Sequence, residues 1–149
     1  MNRSQFKHLH PLEVRWGDAD IFGHINNVQY IRYYESGRVT YCEEALGFEF
    51  KTGLDAGWIL ADIQCSYLKQ LHYPASIEVA TAISKVGTSS VKLQAAIFIK
   101  GTEELVSTSK AVLVWVDLRA GRSAPIPSSQ RECIELFEEV KKESTLIQE

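Results

Sequence analysis

The chain has 149 residues, 45% of them hydrophobic and 23% charged, with a formal net charge of −3 at neutral pH. That is enough chain for one domain with a sizeable core, and its composition is that of a globular protein rather than a disordered one. The mildly acidic balance supplies no field to gather polyanions, which argues against nucleic acid as a partner, and no run approaches the ~20 apolar residues that span a bilayer.

Residues 1–10 contain no apolar stretch of the kind that opens a secretory signal, so the expected location is cytoplasmic, with no membrane partner. Residues 14–18, following Pro11, read as a short first strand ended by the turn signals around Gly17 and Gly23. A proline-free stretch then runs from about residue 27 to residue 46 and closes at Gly47, which predicts a helix about 30 Å long. Ile31, Tyr34, Val39, Cys42, Ala45 and Leu46 spread over more than one narrow stripe, so burial around much of the helix is expected. Glu35 and Arg38, three residues apart, are spaced to pair on the remaining side.

Beyond Gly57 the period changes to two. Ile59, Ala61, Ile63, Cys65 and Tyr67 alternate with more polar neighbours, the pattern of a strand with one apolar face. Pro74 interrupts it, alternation resumes over residues 77–83, and residues 91–100 carry it most cleanly. After a turn at residues 101–104, a last long strand is expected over residues 105–116, its solid apolar end at 111–116 predicting burial on both faces. Gly121, Pro125 and Pro127 then make a loop before a second helix. There Ser129 and Glu132 have capping-box spacing, and Cys133, Leu136, Phe137 and Val140 form an apolar stripe suited to the outer surface of the sheet or to a neighbouring subunit. Lys141 and Lys142 suit the dipole at its end. A strand, a long helix and four hairpin-joined strands make a single α+β domain over residues 1–149, with a largely antiparallel sheet.

The chemistry concentrates in residues 16–30. Asp18 and Asp20 are two carboxylates, His24 an imidazole, and Asn26 and Asn27 open the long helix. A carboxylate serves as general base or nucleophile, and the amides of a helix N-terminus stabilise negative charge on a substrate oxygen. Each residue also has a plain structural role available. Aspartate braces turns, asparagine caps helices, histidine packs, and Tyr30 on the first helical turn suits the core. Asp18 is assigned to bracing. His8, His10, His24 and His72 show no metal-ligand spacing, there is no glycine-rich dinucleotide loop, and Cys42, Cys65 and Cys133 lie too far apart for a paired motif. The expectation is therefore no metal and no bound cofactor.

The pattern Asp18-x-Asp20-x-x-Gly23-His24-x-Asn26-Asn27-x-x-Tyr30, followed by Glu35 and Arg38, resembles the signature of the hotdog-fold acyl thioesterases, closest to the 4-hydroxybenzoyl-CoA thioesterase-like group. The resemblance implies a hotdog fold, a long central helix wrapped by a largely antiparallel five-stranded sheet, with a C-terminal helix added. It further implies hydrolysis of an acyl-CoA thioester, with Asp20 as the carboxylate acting on the carbonyl and the Asn27 amide polarising it. Coenzyme A would enter only as part of the substrate. The stretch is also similar to the Asp-x-Asn-x-His-x-Asn-Asn motif of plant acyl-carrier-protein thioesterases, matching at Asp20 and His24 but carrying Phe22 in place of the middle asparagine. His24 then orients Asp20, relays a proton or packs. Tyr30 would line the acyl pocket, and Ser90, in the Gly87 to Ser90 turn, would reach the substrate's pantetheine arm or acyl group unless that turn is an ordinary hairpin. Because a single sheet leaves an edge exposed, the resemblance implies a homodimer or homotetramer with the substrate between subunits. Hydrolysis of acyl groups on a carrier protein and non-catalytic acyl-CoA binding remain the rival readings.

Overall fold

The computed structural model describes residues 1–139. Strand β1 (His8–Glu13) is followed by helix α1 (Asn27–Leu46), strands β2 (Ala56–Tyr67), β3 (Ser76–Val86), β4 (Ser90–Ile99) and β5 (Leu105–Asp117), a two-residue strand β6 (Arg122–Ser123) and helix α2 (Ser128–Glu138). All strand pairs are antiparallel, in the order β1-β3-β4-β5-β2, with β6 paired to β5. The sheet curls around α1 in the hotdog arrangement.

Helix α1 begins where Asn26 accepts the Val28 amide at 3.1 Å, and ends where Gly47 turns left-handed with φ 64°. Its buried residues are Tyr30, Tyr33, Tyr34, Gly37, Tyr41, Cys42 and Leu46. They meet one face of the sheet, with Val79, Ala95 and Ile97 near the N-terminal half and Ile83, Leu93, Leu113 and Trp115 near the C-terminal half. Gly37 marks the closest approach: a Cβ there would lie 2.5 Å from Cγ1 of Val79. Glycine mid-helix costs about 1 kcal/mol against alanine, and here it makes room for the Val79 side chain of the strand instead.

Four expectations need correction. The first strand lies at His8–Glu13, not at residues 14–18, which form a 3₁₀ turn at Trp16–Asp18. Pro11 is inside that strand, and an edge strand accommodates a residue with no amide to donate. The apolar end of β5 is buried on one face only: Ala111, Leu113 and Trp115 are buried, whereas Val112, Val114 and Val116 are half-exposed. Glu35 pairs with Arg32 at 3.3 Å rather than with Arg38. Helix α2 starts at Ser128 behind Pro127 with no side-chain cap, so the capping box does not form.

Helix α2 uses part of the expected stripe, Cys133 and Phe137 packing half-buried against the core. Gln130 and Ile134 are its buried residues and Leu136 is 82% exposed, with Val140, Lys141 and Lys142 outside the described residues. Gln130 is buried because it is satisfied: its carbonyl accepts the Trp58 indole N–H at 2.9 Å and its amide donates to the Leu46 carbonyl at 2.9 Å. Helix α2 thus joins α1 in one core, closing the end near Trp58 and Trp115. The opposite sheet face is covered near β3 and β4 by Phe6, packed on Ala80, Ala96 and Phe98.

Candidate active site

Between β1 and α1 the chain makes a short loop closed on itself by Asp20. The Asp20 amide donates to the His24 carbonyl at 2.7 Å, and the Gly23 amide returns to the Asp20 carbonyl at 3.0 Å, with Gly23 at φ 80°. Carboxylate oxygen Oδ1 accepts two further amides, those of Phe22 at 2.9 Å and His24 at 3.2 Å. Oδ2 accepts no hydrogen bond among the described residues, and the side chain is exposed. Asp20 is therefore an oriented carboxylate with one oxygen held and one available.

Asp18 does the bracing. It is buried, accepts the Tyr33 hydroxyl at 2.7 Å and the Arg15 amide at 3.1 Å, and pairs with the Arg15 guanidinium at 3.2 Å. Its own carbonyl accepts the Asn26 amide at 3.0 Å, so this one residue ties the loop to the start of α1. Burial pushes the Asp18 carboxyl up, but the bonds from Tyr33 and Arg15 together pull it further down, leaving it ionised below its ordinary range. Tyr33, buried beside that charge, is pushed far up and stays a donor.

The loop is pinned on its other side to residues 71 and 72. Ile25 donates to the Leu71 carbonyl at 2.7 Å, His24 and His72 form a lone antiparallel bridge, and their rings meet edge-on with centroids 4.6 Å apart. Between this loop, the first turn of α1 and the segment after β2 lies a cavity of about 340 Å³. It is lined by Asp20, His24, Asn27 and Tyr30, together with Tyr67 and residues 68–71. Four of the five residues expected at the site thus share one cavity.

Ser90 is the exception. It opens β4 opposite Val114, and its turn is bound to the segment before α2 through the Ile126 amide on the Thr88 carbonyl. Within one chain that is the other end of the sheet, and Ser90 lines no part of the cavity. Conversely, Tyr67 is legible in the sequence only as a strand residue. Its hydroxyl donates to the Asn27 carbonyl at 3.2 Å and its ring meets Tyr30 edge-on at 4.9 Å. No sequence signal says that the end of β2 returns to the start of α1.

Electrostatically the cavity faces the positive end of a 20-residue helix with no acidic residue in its first turn. The Val28 amide is taken by Asn26, whereas the Asn27 amide meets no acceptor among the described residues. Such an amide is a ready donor to a substrate oxygen. No group of three or more potential metal ligands occurs among the described residues, and no described helix is long and apolar enough to cross a membrane.

Known proteins carry this architecture. The chain is 30% identical to the PA5185 protein of Pseudomonas aeruginosa strain PAO1, over 91% of this chain and 94% of that one, with a TM-score of 0.83. It is 26% identical to a thioesterase of Thermus thermophilus complexed with coenzyme A and zinc, over 92% and 98% of the two chains, with a TM-score of 0.81. Over 124 residues, 83% of this chain and 94% of the other, it is 19% identical to the long-chain acyl-CoA thioesterase FadM of Escherichia coli. The model of the thioesterase-like superfamily matches residues 14–134, a span that takes in every wall of the cavity, and the chain belongs to that family.

Proposed function

We propose that this protein hydrolyses acyl-CoA thioesters, with Asp20 as the acting carboxylate and the Asn27 amide as the donor to the thioester oxygen. One observation carries the reading: a carboxylate fixed through a single oxygen shares a cavity with an unengaged helix-opening amide. Charge that grows on the carbonyl oxygen during attack meets a donor already aimed and a helix dipole of the right sign. The free Asp20 oxygen either attacks the carbonyl, expelling CoA thiolate and leaving a mixed anhydride for water to open, or takes a proton from water whose oxygen attacks. Both routes deliver the free acid and CoA. His24 supports the first role through its backbone, since its amide and carbonyl close the Asp20 loop. Tyr30 and Tyr67 supply the aromatic wall. Coenzyme A enters as part of the substrate, in line with the complex known for the Thermus relative.

We further propose that the active form is a homodimer joined along β2. The two sheet edges differ. β1 is six residues long and carries Pro11, whereas β2 is twelve residues long with Ile59, Leu60 and Tyr67 exposed beside Val28 of α1. The long apolar edge is the one a second copy would pair with, the short proline-bearing edge the one that resists pairing. The deciding experiment is release of free CoA thiol from a panel of aromatic and aliphatic acyl-CoAs. Turnover by the wild type, lost in Asp20→Asn while acyl-CoA binding persists, supports the proposal. Turnover unchanged in the variant removes Asp20 from the site, and binding without turnover by the wild type returns the protein to acyl-CoA binding alone.

A further inference from the structure

One wall of the site cavity is a strap, residues 68–75, that runs from the end of β2 to the start of β3. It is tied at both ends. The amides of Leu68 and Lys69 donate to the Val106 carbonyl of β5 at 3.0 and 3.1 Å, and the Ala75 carbonyl accepts the Val14 amide at 3.0 Å. In its middle Leu71 is buried in the same core cluster as Tyr30 and Tyr34 of α1. The strap is therefore a fixed support for whatever leans on it.

The Asp20 loop leans on it through three contacts. Ile25 donates to the Leu71 carbonyl, His24 and His72 form the lone backbone bridge, and their imidazoles meet edge-on, inclined by 77° with centroids 4.6 Å apart. The first two contacts are made by backbone and survive a change of side chain at position 72; the third is made by the rings alone. His24 is also the residue that engages Asp20 twice, its amide on Oδ1 at 3.2 Å and its carbonyl on the Asp20 amide at 2.7 Å. A shift of His24 is thus passed directly to the carboxylate. His72 lines no part of the cavity, to which the strap contributes residues 68–71, so it reaches Asp20 through His24 rather than touching substrate. All of these contacts are made within one copy of the chain and are independent of what a second copy covers.

We propose that His72 is a positioning residue for the acting carboxylate: its imidazole, carried on the fixed strap and set edge-on against that of His24, keeps Asp20 Oδ1 on its two amides and so fixes the direction of Oδ2. This rests on the thioesterase reading for what the carboxylate does, whereas the positioning itself is readable without turnover. Because the contact is edge-on ring packing, a phenyl ring at position 72 can supply it and a methyl group cannot.

The measurement is amide hydrogen exchange by NMR on the full chain, alongside kcat and KM for acyl-CoA hydrolysis. In His72→Ala the Phe22 and His24 amides, both held by Asp20 Oδ1, should exchange about threefold to tenfold faster, the weight of one edge-on ring pair. The Ile25 and Asn26 amides, held by the Leu71 and Asp18 carbonyls, should keep their wild-type rates, and the melting temperature should not move. The kcat should fall about tenfold with KM unchanged, as expected for a reacting group aimed less well. His72→Phe should restore most of both losses. In a His24→Ala background, His72→Ala should speed exchange of the Phe22 amide no further. Unchanged exchange at Phe22 and His24 in His72→Ala overturns the proposal. So does a loss of protection that spreads to Ile25 and Asn26, a wild-type kcat despite faster exchange, or an equal effect of His72→Ala in the His24→Ala background. If exchange responds as expected but the wild type turns over no thioester, the positioning stands and the hydrolase proposal falls; turnover that needs Asp20 and ignores His72 does the reverse.

Discussion

The two ends of α1 are built from the same helix and treated in opposite ways. At the C-terminal end the protein closes the helix itself: Gly47 turns back onto the Cys42 carbonyl, Gln130 takes the Leu46 carbonyl, and Ile134 seals the layer against Tyr41, Trp58 and Trp115. At the N-terminal end the Asn27 amide is left unengaged among the described residues, and Asp20 is held there by one oxygen only. The open end is nevertheless rigid, because its tyrosines are anchored. Tyr33 is bonded to Asp18 at 2.7 Å, and Tyr34 to Ser107 at 2.7 Å, whose hydroxyl goes on to the Ser66 carbonyl at 2.8 Å. One helix thus serves stability at one end and ligand recognition at the other, and positions the open end with hydrogen bonds added to its apolar packing.

That division breaks down if the two ends fail together, so the sharpest test is a pair of opposite variants. Asp20→Asn should lower thioester turnover by ~10²-fold or more, the weight of a lost acting carboxylate, and leave the melting temperature where it was. Ile134→Ala should do the converse, losing about 3 kcal/mol in urea unfolding while the folded fraction keeps its turnover per site. A smaller effect is expected at the anchor of the open end. Tyr33→Phe removes a buried donor to a charged acceptor and should cost about 2 kcal/mol, with a fall in turnover as the Asp20 loop loosens.

The same anchor predicts a pH dependence. The Asp18 carboxyl is depressed in the folded state, so its contribution is present above its ordinary value of 3.8 and is lost as pH falls through the lower folded value. Stability of the wild type should drop along this acid limb, and Asp18→Asn should flatten it, as read from urea midpoints at pH 2 to 6. The least effect belongs to Leu136→Gln, which changes an 82% exposed side chain and should move stability by less than about 0.5 kcal/mol.

Much of this is readable in the chain, and what is not has physical causes. The span of α1 follows from two local signals, the Asn26 cap and the left-handed Gly47, and both ends lie where those signals put them. Asp20, His24, Asn27 and Tyr30 stand close together because they are neighbours in sequence around one turn. Ser90 is drawn toward the site by residue type alone, and residue type does not say at which end of a sheet a hairpin lies. The first strand is misplaced when proline is read as a boundary, because here it occupies an edge. The apolar stripe of α2 is right at Cys133 and Phe137 and fails at Leu136, while Gln130 is buried through hydrogen bonds to Trp58 and Leu46, partners that lie far off in sequence. The pairing of Glu35 with Arg32 instead of Arg38 has a similar origin. Both partners are three residues away, and only the surrounding sheet leaves Arg32 at the exposed surface and Arg38 half-buried.

Gly37 gives the helix a fulcrum. The rod rests on Val79 at the one position where it has no side chain, ten residues from Asn27 and nine from Leu46. Any atom added there has to lift the middle of the rod, and the displacement is carried as tilt to both tips. The far tip is clasped by Gln130 and Ile134, so the swing is delivered to the amide that faces the cavity. Distance along a stiff lever does not insulate the reacting end from its pivot.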